Sequence, residues 1–166
     1  MILADIPNAA AVFVDANPLV YHFAPDPVYG PPCRELLNRI ERQEIEAFTT
    51  THVLSDVAHR LMTLEAITRF GWPAAGIAQR IRKHATELQQ LTNYRVALDG
   101  LRSSRLQVLP TSLALVVAAA DVSRQYGVLS GDALIVAVMQ ANGLTHLASN
   151  DSDFDRVAGM TRYGPA

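Results

Sequence analysis

The sequence predicts an α/β fold in which a central parallel sheet of four or five strands is flanked by helices, and three observations predict it. Short β-branched and aromatic runs alternate along the chain with longer segments whose apolar residues recur at helical spacing, the signature of repeated strand–helix units. The first of these runs, AVFV, is apolar at every position, as a strand covered on both faces is. The chain has 166 residues, 49% of them apolar, with no low-complexity tract and no repeat of solenoid period, so a single domain over residues 1–166 can enclose one core.

The elements follow in order. Residues 11–15 (AVFVD) read as a buried strand that ends in a carboxylate. Asn17-Pro18 then opens a turn or a first helical turn. Pro25, Pro27, Pro31 and Pro32 are expected to keep the next stretch irregular until a helix over residues 33–43, where Leu36, Leu37 and Ile40 have helical spacing. Residues 46–50 (EAFTT) form a second strand. Thr51 or His52 opens a helix with the apolar stripe Val53, Leu54, Val57, Leu61 and Leu64, placing Asp56 in its first turn or two. Gly71-Trp72-Pro73 breaks the chain, and Ile77, Ile81, Leu88 and Leu91 predict a further helix reaching about Tyr94. A third strand over 105–109 stops at Pro110, and Thr111 or Ser112 caps a helix that Gly127 ends. Ser130-Gly131-Asp132 starts the next helix, with Leu134, Ile135, Val138 and Met139 inward, and Asn142-Gly143 closes it. The last strand, residues 145–149 (THLAS), runs directly into Asn150-Asp151-Ser152-Asp153-Phe154.

Composition narrows the function. The apolar runs at 9–14 and 113–120 are cut off by Asp15 and Asp121, well short of the ~20 residues a membrane span needs, so no membrane association is expected. The start, MILADIPNAA, carries no basic segment ahead of an apolar one; no secretory signal is expected, and the expected location is cytoplasmic. Cys33 sits in Pro31-Pro32-Cys33 without the nearby His and Asp of a nucleophile, and reads as a packed or half-exposed thiol. The histidines offer no ligand pair one helical turn apart, His52 and His59 being seven residues apart, so a zinc site is not expected. A net charge of −2 argues against coating nucleic acid by charge alone, although a metal-loaded acidic pocket would invert the local field.

Five aspartates share one property: each lies at a strand end or early in a helix that follows a strand. Asp15 ends the first strand, Asp56 enters the helix after the second, Asp132 opens the penultimate helix, and Asp151 and Asp153 follow the last strand. In a parallel α/β sheet such positions converge on one edge. Carboxylates brought together repel unless a cation neutralises them, and hard oxygen donors suit Mg²⁺ or Mn²⁺. The chemistry this implies is phosphodiester hydrolysis by metal-activated water, with no side-chain nucleophile. Plain structural roles stay open for most members. Asp132 suits a helix first turn, Asp56 a solvated face, and Asp151 with Asp153 an Asx-turn. Asp15 fits such a role least, because a carboxylate ending VFVD meets the apolar sheet and needs a partner there.

The segment 12–23, VFVDANPLVYHF, resembles the opening motif of PIN domains, and 130–154, SGDALIVAVMQANGLTHLASNDSDF, resembles their closing half. Between them, TTHVLSDVAHRL at 50–61 looks like the element where the family usually carries Glu in a Glu-Val-x-x-Arg-Leu pattern. The likeness covers about residues 11–157 and implies a PIN-like α/β/α sandwich. Carried over by position, it implies an acidic catalytic site of Asp15, Asp56, Asp132 and Asp153, with Asp15, Asp132 and Asp153 as ligands of Mg²⁺ or Mn²⁺. Asp151 is an alternative or an addition to Asp153, and Asn17 and Ser149 are accessory groups that orient ligands or water. Asp56 in place of Glu shortens the reach by one methylene and points to an outer role, holding a bridging water. Many members of this size are VapC-like toxins; the resemblance implies an endoribonuclease acting on RNA, a small antitoxin partner, a homodimer, and a helical clamp-like segment at residues 66–105. Arg69, Arg80, Arg82, Lys83, Arg95, Arg102 and Arg105 would contact RNA there, or form a solvated face. Trp72 and Tyr94 would stack on bases or anchor packing.

Other readings are a PIN-like RNA-processing nuclease, a flap-type DNA nuclease, for which the chain is short, and a PIN-derived binding module that no longer cuts. A receiver-like phosphoacceptor would want a Lys at a late strand end, and the chain has none after Val108.

Overall fold

The computed structural model describes residues 1–24 and 26–166. Five strands, β1 (Ala11–Val14), β2 (Glu46–Thr50), β3 (Gln107–Leu109), β4 (His146–Ala148) and β5 (Thr161–Tyr163), form one sheet in the order β3-β2-β1-β4-β5, every pairing parallel. Strand β1 is central, and Val12, Phe13 and Val14 are wholly buried, as an all-apolar strand in the middle of a covered sheet must be. From β1 the chain steps to β2 and β3 on one side, then returns past β1 to β4 and β5 on the other. Right-handed crossovers in opposite directions place their helices on opposite faces, which yields the layered sandwich. The crevice between the carboxyl ends of β1 and β4 is therefore the point where strand order reverses, the place where open α/β sheets bind ligands.

Helices α1 (Ala16–Phe23), α2 (Gly30–Glu41), α3 (Thr51–Phe70), α4 (Ile77–Lys83), α5 (Ala85–Leu88) and α6 (Asn93–Ser103) lie between β1 and β3. Helices α7 (Leu113–Tyr126) and α8 (Ser130–Ala141) lead from β3 to β4 and pack on each other. Local chemistry sets their ends. The Thr50 and Ser112 hydroxyls accept the amides of Val53 and Leu115 at 3.3 and 3.4 Å, capping α3 and α7. Gly71 and Gly127 take the left-handed conformation that stops the same two helices. Phe13, Leu19, Leu36, Ile40, Met139, Leu147 and Phe154 are among the largest fully buried side chains, so the core draws on both helical layers.

Two expectations are corrected, and one strand was not placed. Helix α2 begins at Gly30, with Pro31 and Pro32 inside its first turn, where a missing N–H forfeits no helical bond; Pro25 lies outside the described residues. The helix expected to run through to Tyr94 divides into α4 and α5, and α6 starts afresh at Asn93. The buried Glu65 carboxylate causes that restart, accepting the amides of Thr92 at 3.0 Å and Asn93 at 2.8 Å from 27 and 28 residues away. Strand β5 was not foreseen by residue; it pairs with β4, and Gly164 just beyond it exchanges amide bonds with Leu3 and Met1. Cys33 is fully buried, and burial pushes its thiol up to about 12, so it packs rather than reacts. Among the described residues no helix is long and apolar enough to cross a membrane.

Candidate active site

Strand β1 ends at Val14, so Asp15 is the first residue past the sheet and the N-cap of α1, its Oδ1 accepting the Ala16 amide at 2.6 Å. Its position is fixed again through the Asp15 amide, which donates to the Ala148 carbonyl on β4 at 3.0 Å. The other carboxylate oxygen, Oδ2, accepts the Ser149 hydroxyl at 2.7 Å and the Asn17 side-chain amide at 2.9 Å. Burial raises the Asp15 pKa, opposed by the Ser149 and Ala16 hydrogen bonds and by the positive charge of Arg60, while Asp151 adds repulsion. All three donors to Asp15 are neutral. They favour the ionised form without cancelling its charge.

Ser149 and Asn17 each do a second task. The Ser149 hydroxyl accepts the Asp151 amide at 3.0 Å, and Asn17 Oδ1 accepts the Asn150 amide at 2.7 Å, so α1 dictates the path of the chain leaving β4. That path brings Asp151 and Asp153 to Asp132 in the first turn of α8. One carboxylate oxygen from each of Asp132, Asp151 and Asp153 lies within 4.8 Å of the others. The Asp132 carboxyl is pushed up to about 6, first by burial, then by the charges of Asp151, Asp15 and Asp153, with Arg60 pulling the other way. Such crowding is unfavourable for the protein alone and favourable once a cation is shared.

The expected acids thus separate. Asp132, Asp151 and Asp153 converge, with Asp15 buried beside them. Asp151 lies in that group beside Asp153. It acts on Asp132 more strongly than Asp153 does, and Asp153 is partly engaged by Arg156 at 2.9 Å. Asp56 does not join the group: its side chain is 54% exposed and sits 3.6 Å from the His52 ring, one turn earlier on α3. The shorter side chain stays on its own helix. Arg60 was not singled out from sequence; its signal was its place one turn after Asp56 in DVAHR. The basic residues of 66–105 are partly committed to protein partners. Arg69 meets Glu65, and Arg95 and Arg102 share Asp99. Trp72 packs between Phe70 and His84, each ring centroid 4.9 Å away, which favours an anchoring role.

Comparison with curated proteins finds no match. Among solved structures the chain is similar to VapC20 of Mycobacterium tuberculosis, described as a sarcin–ricin loop cleaving toxin, with 17% identity and a TM-score of 0.64 over 90% of this chain and 96% of that one. It is similar to a DNA-bound VapBC of Salmonella typhimurium, with 15% identity and a TM-score of 0.60 over 95% of this chain and 99% of the other. VapBC2 of Rickettsia felis, bound to a DNA fragment from its promoter, has 16% identity and a TM-score of 0.57 over 93% and 98%. At such identities the likeness is one of fold. The PIN domain family model, however, matches residues 12–160, which take in strands β1 to β4 and the acid cluster, and the chain belongs to the PIN domain family.

Proposed function

We propose that this chain is a divalent-metal-dependent endoribonuclease, using Mg²⁺ or Mn²⁺, and the toxin of a toxin–antitoxin pair. The observation that carries the reading is the meeting of Asp132, Asp151 and Asp153 within 4.8 Å, beside buried Asp15, at the reversal point of the sheet. Membership of the PIN family supports a nuclease role. The donor set fits a hard cation, being all carboxylate oxygen, and the rise of Asp132 to about 6, caused by burial and then by the charges of Asp151, Asp15 and Asp153, is one that a cation would relieve. Asp132, Asp151 and Asp153 would hold the ion together with Asp15, buried beside them. When bound, the ion supplies Lewis acidity that activates water and neutralises charge developing on the leaving oxygen. The protein's own contribution is orientation: Ser149 and Asn17 lock Asp15, and through the amides of Asp151 and Asn150 they fix the turn that carries two of the ligands.

VapC and VapBC proteins among the structural neighbours support the toxin assignment and a small antitoxin as partner. A homodimer fits the apolar face left open beside the site, where Leu113, Val116 and Val117 of α7 and Leu129 before α8 are exposed, Leu113 and Leu129 by 79% and 76%. The test of the function is RNA cleavage with added Mg²⁺ or Mn²⁺ by the wild type, Asp15→Asn and Asp132→Asn. The expected result is cutting by the wild type alone and none in chelator. Equal cutting by all three, or none with either metal, refutes the reading.

A further inference from the structure

Arg60 stands beside the acid cluster without an acid of its own. The other arginines near the site are engaged, Arg156 with Asp153 and Arg162 with Asp155 through its Nε and Nη2. The natural partner for Arg60, Asp56 one turn earlier on α3, instead sits against His52. Among the described residues no carboxylate oxygen lies within 4.0 Å of the Arg60 guanidinium, and the side chain is exposed. It is nevertheless close enough for its charge to act on both Asp15 and Asp132.

Helix geometry explains the placement. His52, Asp56 and Arg60 occupy one ridge of α3 at successive turns. The His52 ring abuts Gly131, its Nε2 3.4 Å from where a Cβ would stand, so this ridge borders the α8 terminus that carries Asp132. Helical side chains lean toward the N-terminus, which sends the long Arg60 side chain back toward the cluster from its third-turn position.

A cation whose task was to balance the carboxylates would bond to them directly. One held off them, exposed, with all its N–H donors open, is placed for a second anion. We infer that Arg60 contacts the phosphate of the RNA strand seated at the acid cluster, its guanidinium donating to non-bridging oxygens that the carboxylates themselves would repel. The inference rests on the nuclease reading above and adds a substrate-contacting residue to it.

The test is fluorescence anisotropy of a short labelled mixed-sequence single-stranded RNA in Ca²⁺, across a salt series, for the wild type, Arg60→Gln and Arg60→Lys, with melting temperatures and cleavage kinetics alongside. Arg60→Gln should weaken binding about tenfold, lower the salt slope by about one phosphate contact and raise KM more than it lowers kcat. Arg60→Lys should keep the slope. If Arg60→Gln binds with the wild-type affinity and slope, or shifts only the melting temperature, Arg60 merely balances the carboxylates and the inference fails while the nuclease stands. A wild type that neither binds nor cuts RNA overturns both.

Discussion

Replacing Asp132 by Asn should make the metal-free protein more stable while abolishing cleavage. The Asp132 carboxyl is raised from its ordinary 3.8 to about 6 by burial and by Asp151, Asp15 and Asp153. A carboxyl that holds its proton more tightly in the folded state than in the unfolded one favours folding at low pH. That contribution is lost as pH rises through the folded value. At neutral pH the full rise corresponds to about 3 kcal/mol of destabilisation. Asp132 is only partly buried, and solvent screening reduces this to roughly half. Asparagine also gives up a favourable carboxylate in the first turn of α8, returning about 0.5 kcal/mol. The balance is a gain of about 1 kcal/mol, or roughly 2 to 4 °C in Tm for a domain of this size. Circular dichroism melts in chelator should show that gain at neutral pH and its disappearance below the ordinary carboxylate pKa. Added Mg²⁺ should raise the wild-type Tm and leave the variant unmoved. A variant that melts below the wild type at neutral pH in chelator would show Asp132 to be a helix-capping acid, and would refute the assignment of its strain to ion binding.

Three further outcomes follow from the same contacts. Ser149→Ala removes the hydroxyl that holds the Asp15 pKa down, so Mn²⁺ affinity measured by isothermal titration should fall about 10- to 100-fold, more at acidic than at alkaline pH. Glu65→Ala strands the Thr92 and Asn93 amides at the start of α6 and should cost about 2 to 4 kcal/mol in urea unfolding, with Glu65→Gln intermediate. Asp56→Ala should keep kcat/KM within about threefold, because the carboxylate lies outside the cluster. Asp56→Glu, longer by one methylene, should tighten the apparent metal dependence, and a hundredfold or greater loss with alanine would return Asp56 to the site.

What could be read from the sequence was what local chemistry decides. VFVD announced a buried strand ending at a carboxylate, the Ser112 and Gly127 signals bounded α7, and SGD opened α8 with its acid facing the sheet edge. The rest depended on groups far apart in the chain. The restart at α6 is imposed by Glu65, which no local pattern around Thr92 reveals. Strand β5 is three residues long and owes its pairing to β4. Asp151 and Asp153 were not separable by spacing, since the 3₁₀ turn at Ser152–Arg156 brings both inward and turns one of them also toward Arg156. Asp56 matched the family position, yet its shorter reach leaves it with His52.

The arrangement of partners around the site follows one electrostatic rule. An arginine bonded to Asp15 would stabilise that buried carboxylate far more than the Ser149 hydroxyl and the Asn17 amide do, and would also cancel the charge on which cation binding depends. The structure uses neutral donors at the buried end and places its arginine pairs on the exposed side, at Asp153 and Asp155. Negative potential is therefore concentrated between Asp15 and the loop after β4, where water is least able to screen it. Arg60 is placed consistently with that rule, near enough to moderate the field and too far to quench it. A cluster kept charged in this way repels RNA until a cation binds. Metal loading would then precede productive substrate binding, so RNA affinity at the cluster should depend on the divalent ion even where cleavage is blocked.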